Sequence, residues 1–159
     1  MTHAKKTLAA LAAALLLASG SLTPAVADDK DKDDLEGGYT IVAGEKAGMK
    51  IDADEIKGSM VRIAENGIIV TDKSKKDVYA TAYKLGASTG EGCYKITMTS
   101  KLAPSEGVVA RGMIEKKGDT VRLIYALPGG DEPTEFKTKE KQLMFVMKTR
   151  NEKSKSDDK

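Results

Sequence analysis

The sequence predicts an all-β domain, an antiparallel up-and-down meander of about eight strands with one short helical turn. Two observations predict it. From Leu35 to Arg150, short runs of β-branched and aromatic residues are separated by Gly, Asp, Asn and Lys, the punctuation of strands and turns. Within several runs the polarity alternates residue by residue. Tyr94, Ile96 and Met98 fall on one face and Lys95, Thr97 and Thr99 on the other, as in a strand with one buried side.

Read in order, the strands fall at Tyr39–Ala43, Met60–Ala64, Ile68–Thr71 and Val78–Leu85, then at Tyr94–Ser100, Val108–Glu115, Val121–Ala126 and Leu143–Thr149. Val121, Leu123 and Tyr125 share a face of the seventh. The helical turn falls at Asp52–Lys57, with Asp52 as the cap and Glu55 three residues later. Asn66-Gly67 is a pair that accepts positive φ at both central positions of a hairpin turn. Gly118-Asp119 also lies between two strand-like runs, and Gly86, Gly90 and Gly92 are expected in a flexible hairpin loop. Leu127-Pro128-Gly129-Gly130-Asp131 must be a loop, since Pro and paired Gly weaken any ladder. Strands joined by tight turns either close into a barrel, which removes both open edges, or stack as a two-layer sandwich. Periodicity alone does not separate the two.

The ends of the chain are of another kind. Lys5 and Lys6 precede an apolar run from Leu8 to Ala18, and Ala25-Val26-Ala27 has the small-x-small form of a signal-peptidase site. Residues 1–27 are therefore expected to be a cleaved signal peptide, which directs the protein to the periplasm, the cell envelope or the medium. The apolar run is too short for a permanent span, so no membrane span is expected after cleavage. Residues 28–34, DDKDKDD, are expected to be a charged, disordered linker, and residues 151–159 a disordered charged tail. The domain then occupies residues 35–150.

Of 26 basic residues, only Lys5 and Lys6 precede the cleavage point, and none of the 24 acidic residues does. The mature chain thus balances at 24 against 24, which gives it no electrostatic reason to seek nucleic acid or an anionic membrane surface. A lone cysteine, Cys93, rules out an internal disulfide. It opens a strand-like run and is expected to be buried as a small hydrophobe.

The pattern resembles a lipocalin-like domain family of planctomycete bacteria. The resemblance rests on Leu35-Glu36-Gly37-Gly38-Tyr39-Thr40, on Gly48 and Ile51 before Asp54-Glu55, and on a closing block. That block comprises Gly118-Asp119-Thr120-Val121-Arg122-Leu123, Tyr125-Ala126, Pro128-Gly129-Gly130 and Pro133-Thr134-Glu135-Phe136. Tyr39 stands where the family usually has Trp, Ile124 where it often has Cys, and Glu132 where it usually has Arg. The resemblance implies an eight-stranded lipocalin-like barrel and no assigned activity. It also implies that Tyr39 plugs the closed end of the barrel under an Arg of the last strand, here Arg150, through a cation–π contact.

The inventory for catalysis is thin. His3, the sole histidine, lies in the signal peptide, so the usual general base and the Ser-His-Asp and Cys-His arrangements are missing. One Cys and no His argue against tetrahedral zinc. Asp29, Asp31 and Asp33 alternate as calcium-loop ligands do, but Asp34 replaces the required Gly and Thr40 the closing Glu. The glycines lack the Lys-Ser/Thr pair of a phosphate loop. The chain is expected to be a monomer, not an enzyme, with no cofactor and no metal. Its partner is expected to be a small hydrophobic ligand in the barrel mouth, lined by Tyr83, Tyr94, Met98, Met113, Leu123, Tyr125 and Phe145. The alternative is that those side chains fill a solid core. The protein would then be a module that binds an envelope protein through the Leu127–Phe136 loop.

Overall fold

The computed structural model describes residues 28–151. The signal peptide read at residues 1–27 lies outside them, as does the charged tail beyond Asn151. All eight strands form, several of them longer than their apolar runs. They are β1 (Gly37–Lys46), β3 (Met60–Ala64), β4 (Gly67–Thr71) and β5 (Asp77–Gly90), then β6 (Cys93–Ser100), β7 (Val109–Lys117), β8 (Thr120–Ala126) and β9 (Gln142–Thr149). A two-residue strand, β2 (Met49–Lys50), hooks back onto β1.

Sequential neighbours pair antiparallel from β3 through to β9, and β1 pairs with both ends of that series. Tyr39 lies opposite Val61 of β3 and opposite Thr149 of β9. The barrel is closed, and the sandwich is excluded. Closure depends on a bulge in β1 between Ile41 and Ala43. Such an extra residue bends a strand and sharpens its twist. Here it lets β1 leave β3 after Thr40 and continue along β9 to Lys46.

The alternation seen in the sequence becomes inside and outside. Tyr39 and Ile41, Val61 and Ile63, Tyr83 and Leu85, Ile96 and Met98, and Val121, Leu123 and Tyr125 all join one interior core. Gly112 faces this interior from β7, between Ala110 and Ile114. A Cβ there would come within 1.9 Å of the Ile124 carbonyl oxygen, so the close approach of β7 to β8 requires glycine.

Two short helices cover the two ends. At one end α1 (Asp29–Leu35) lies beside the β5–β6 and β7–β8 turns, where Asp31, Asp34 and Leu35 border Gly92 and Gly118. This corrects the expected disordered linker. Its charges bury nothing, but Leu35 is sealed beneath the barrel, and the segment is pinned by polar contacts. The Tyr94 hydroxyl donates to Asp31 at 2.7 Å, Lys116 reaches the Asp34 carbonyl, and the Tyr39 hydroxyl donates to the Leu35 carbonyl at 2.6 Å. Tyr39 is thus a buried plug, but its partner is α1 and not Arg150. The Arg150 guanidinium instead meets the Met60 sulfur. At the other end α2 (Ala53–Ile56) begins at Asp52, whose carboxylate accepts from the Asp54 amide at 2.9 Å, and its Ile56 is buried.

Two turns differ from expectation. The β3–β4 turn consists of Glu65 and Asn66, with Gly67 already paired to Ala64, and neither Asn66 nor Gly67 has positive φ. Gly86 and Gly90 belong to β5, which stays paired to β6 through bulges; only Gly92 is in the turn, at φ +66°. Gly118 occupies its expected turn at φ +60°.

Candidate functional site

The barrel interior is filled at one end and hollow at the other. Around Tyr39 the α1 end is tightly packed by Leu35, Ile63, Tyr83, Leu85, Ile96 and Val121. Toward α2 a cavity of about 240 Å³ opens. Ile41, Val61, Ile68, Val70, Leu123, Phe145 and Met147 line its wall, with Tyr79 and Tyr125, and Glu55, Ile56 and Ser59 lie at its mouth.

These side chains come from β1, β3, β4, β8, β9 and the start of β5; none comes from β6 or β7. The partition has a visible cause. Tyr79 and Tyr125 belong to strands that are not neighbours in the sheet, and their rings stack across the lumen with centroids 6.5 Å apart and planes at 17°. On the far side of this stack, Met98 is fully buried. The end of that half is closed by the β6–β7 loop, which bonds back through the Ser100 amide to Val108 and the Gly107 amide to Ser100, both at 2.9 Å. The other half has only α2 above it.

The cavity is chemically plain. Burial pushes the Tyr79 hydroxyl up from its ordinary value, partly offset by the Thr81 hydroxyl. The Tyr125 hydroxyl is raised further, by burial first and by the neighbouring Tyr79 second. Both phenols are neutral hydrogen-bond donors at physiological pH. Glu55 at the mouth is the only carboxylate in the lining, and no Lys, Arg or His lines it. Among the described residues no three His, Cys, Asp or Glu side chains gather as a metal site would require.

Of the residues expected to line a ligand site, Leu123, Tyr125 and Phe145 border this cavity. Met98 faces inward but lies in the filled half. Tyr83 belongs to the packed end, where its buried hydroxyl has no hydrogen-bond partner. Tyr94 is committed to Asp31 under α1. Met113 points out of the barrel. It is buried together with Cys93 in a second, exterior cluster beneath the segment that joins β8 to β9, where the partly exposed Phe136 lies against them.

Most of the Leu127–Phe136 loop is exposed, but the segment is anchored to the barrel. Pro133 and Thr138 are buried in it, and Ile124 on the outer face of β8 is fully covered. The Arg122 guanidinium sits 4.2 Å above the Phe136 ring and also binds Glu115. Burial would raise the Glu115 carboxyl, but hydrogen bonds from Lys117 and Arg122 outweigh it and hold it low. Glu132 pairs with Lys95 at 2.6 Å, and the Gln142 side chain donates to the Asp131 carbonyl at 2.8 Å.

Sequence reasoning missed Tyr79, Ile41, Ile68 and Val70 as cavity residues. Alternation places Ile68 and Val70 on one face, but nothing local marks which stretch of an inward face stays unfilled. A larger groove of about 830 Å³ runs past Arg62, Ile69, Asp77 and Arg150. It lies on the outer face, open to water, and would bury little of any ligand.

Fold and cavity together define a closed, lipocalin-like all-β barrel with an apolar chamber at one end. Family models, curated proteins and solved structures give no match to the chain.

Proposed function

We propose that this is an exported, non-enzymatic, lipocalin-like barrel that holds a small apolar or amphipathic molecule in the chamber under α2. The observation that carries this reading is the chamber itself, about 240 Å³ of apolar space inside a barrel whose other half is packed. Packed interiors hold few voids larger than a water molecule. Space of this size, walled by aliphatic and aromatic side chains with a few polar groups and open to water past Glu55 and Val78, is the usual form of a small-molecule site. By proportion with the ~150 Å³ apolar cavity that accepts benzene, it suits a ligand of roughly ten non-hydrogen atoms. The family resemblance adds the barrel architecture and no activity, and the signal-peptide pattern supports export.

Native mass spectrometry of the protein purified from its source without detergent tests the reading. A reproducible mass excess that vanishes on denaturation is expected. Val70→Phe, which fills the chamber, should fold and lose that excess. A bare mass in the wild-type protein, together with no saturable uptake of an apolar probe, would overturn the proposal.

A further inference from the structure

The chamber also holds information about what it selects, and the following rests on the binding reading above. Tyr125 is 8% exposed, and its hydroxyl has no hydrogen-bond partner among the described residues. Its ring is fixed by the stack with Tyr79 and by the strand β8, which Gly112 allows to lie close against β7. Unlike the sealed hydroxyl of Tyr83, that of Tyr125 keeps accessible surface, and a donor held rigidly in the wall of an apolar chamber is preset for an acceptor that enters it. Around it stand Leu123, Phe145, Val70 and Ile41, which offer no polar atom from their side chains. No cation lines the chamber, and Glu55 stands at its mouth.

We propose that the chamber selects an uncharged ligand with a hydrogen-bond-accepting oxygen, such as a ketone, ester or ether, seated against the Tyr125 hydroxyl, with its hydrocarbon part toward Ile41, Val70 and Phe145. A hydrocarbon of equal size fits but leaves the hydroxyl unpaired. A carboxylate is rejected, because the chamber would strip its water without supplying a positive partner and Glu55 opposes its entry. Because burial keeps Tyr125 protonated well above neutral pH, the donor is present under any physiological condition.

Three probes of matched size separate the possibilities: propylbenzene, acetophenone and benzoate, titrated into the purified protein by calorimetry. Tyr125→Phe should bind acetophenone about three- to tenfold more weakly than the wild type does, the worth of one neutral hydrogen bond. Benzoate should bind at least about a hundredfold more weakly than acetophenone. The same substitution should leave propylbenzene unchanged, and in the wild type the Tyr125 ¹³Cζ resonance should move with acetophenone only. An acetophenone affinity unchanged by Tyr125→Phe, a Tyr125 ¹³Cζ resonance that acetophenone does not move, or tight binding of benzoate overturns this inference and leaves the binding reading standing. Failure of all three to bind overturns both. In the wild type the Tyr125 resonance and the benzoate comparison are decisive even if the variant does not fold.

Discussion

The two halves of this barrel are built from the same strand chemistry and end up in different physical states. On the β6–β7 side, Ile96, Met98 and Ile114 are almost completely buried, and a bonded loop closes the end. On the β1, β3, β4 and β9 side, equally apolar residues surround a chamber. What separates them is a pair of tyrosines that stack across the lumen, and what lies above each half. The difference shows that hollowness is not a property of a strand or its composition. It arises where side chains from opposite walls fail to meet.

The largest effect is expected where the barrel is most solid. Tyr39→Ala removes the plug of the α1 end and its bond to Leu35, and should cost about 3–5 kcal/mol in denaturant unfolding. An unchanged midpoint would show that this end is not packed as described.

The two halves are compared most directly by one truncation made in each. Met98 and Met147 are both almost completely buried, but only Met147 borders the chamber. Met98→Ala should cost about 2–5 kcal/mol. Met147→Ala should fall below it, because atoms beside a void already lack partners on one side. The reverse order, measured by urea unfolding, would break the distinction between filled and hollow halves.

A smaller effect of opposite sign is expected at Tyr83. Its buried hydroxyl has no partner, and burial pushes its pKa up from the ordinary value. Tyr83→Phe removes the desolvated group and keeps the ring, so it should stabilise the protein by about 1 kcal/mol. A loss of stability would mean that the hydroxyl is bonded after all.

The smallest effect concerns α1, which is held largely by polar contacts. The Tyr94 hydroxyl, first, and the Asp28 amide, second, hold the half-buried Asp31 carboxyl below its ordinary value. The bond to Asp31 in turn pushes the Tyr94 hydroxyl up to about 12. A lowered carboxyl gives stability that is present above its unfolded value, near ~4, and lost as pH falls through its folded value. A raised phenol gives stability that is present below its unfolded value, near ~10, and lost as pH rises from there. Tyr94→Phe should therefore cost under about 1 kcal/mol at neutral pH, and its difference from the wild type should shrink toward both extremes. A difference that is constant with pH would show that the pair does not hold α1.

Much of the fold was legible locally. Alternation and turn residues located all eight long strands, and Asp52 marked the start of α2. The β2 strand is two residues long and carries no periodicity to read. The α1 helix was misread because seven charged and polar residues look like a solvated leader; only the barrel end gives Leu35 and Asp31 something to hold. Of the candidate site, Leu123, Tyr125 and Phe145 were legible as large inward residues. Met113 was misplaced because an outer face can also be buried when a long loop folds over it.

The sequence by itself determined the all-β class, the positions of the strands and the sorting of alternate side chains onto two faces. Each of these follows from polarity repeated at a spacing of two residues and from turn chemistry, which act over a few positions. Only the tertiary structure decided that the sheet closes through the β1 bulge, that Tyr79 meets Tyr125 across the lumen, and that one half is left hollow. Those outcomes depend on distances between residues far apart in the chain, which no local pattern encodes.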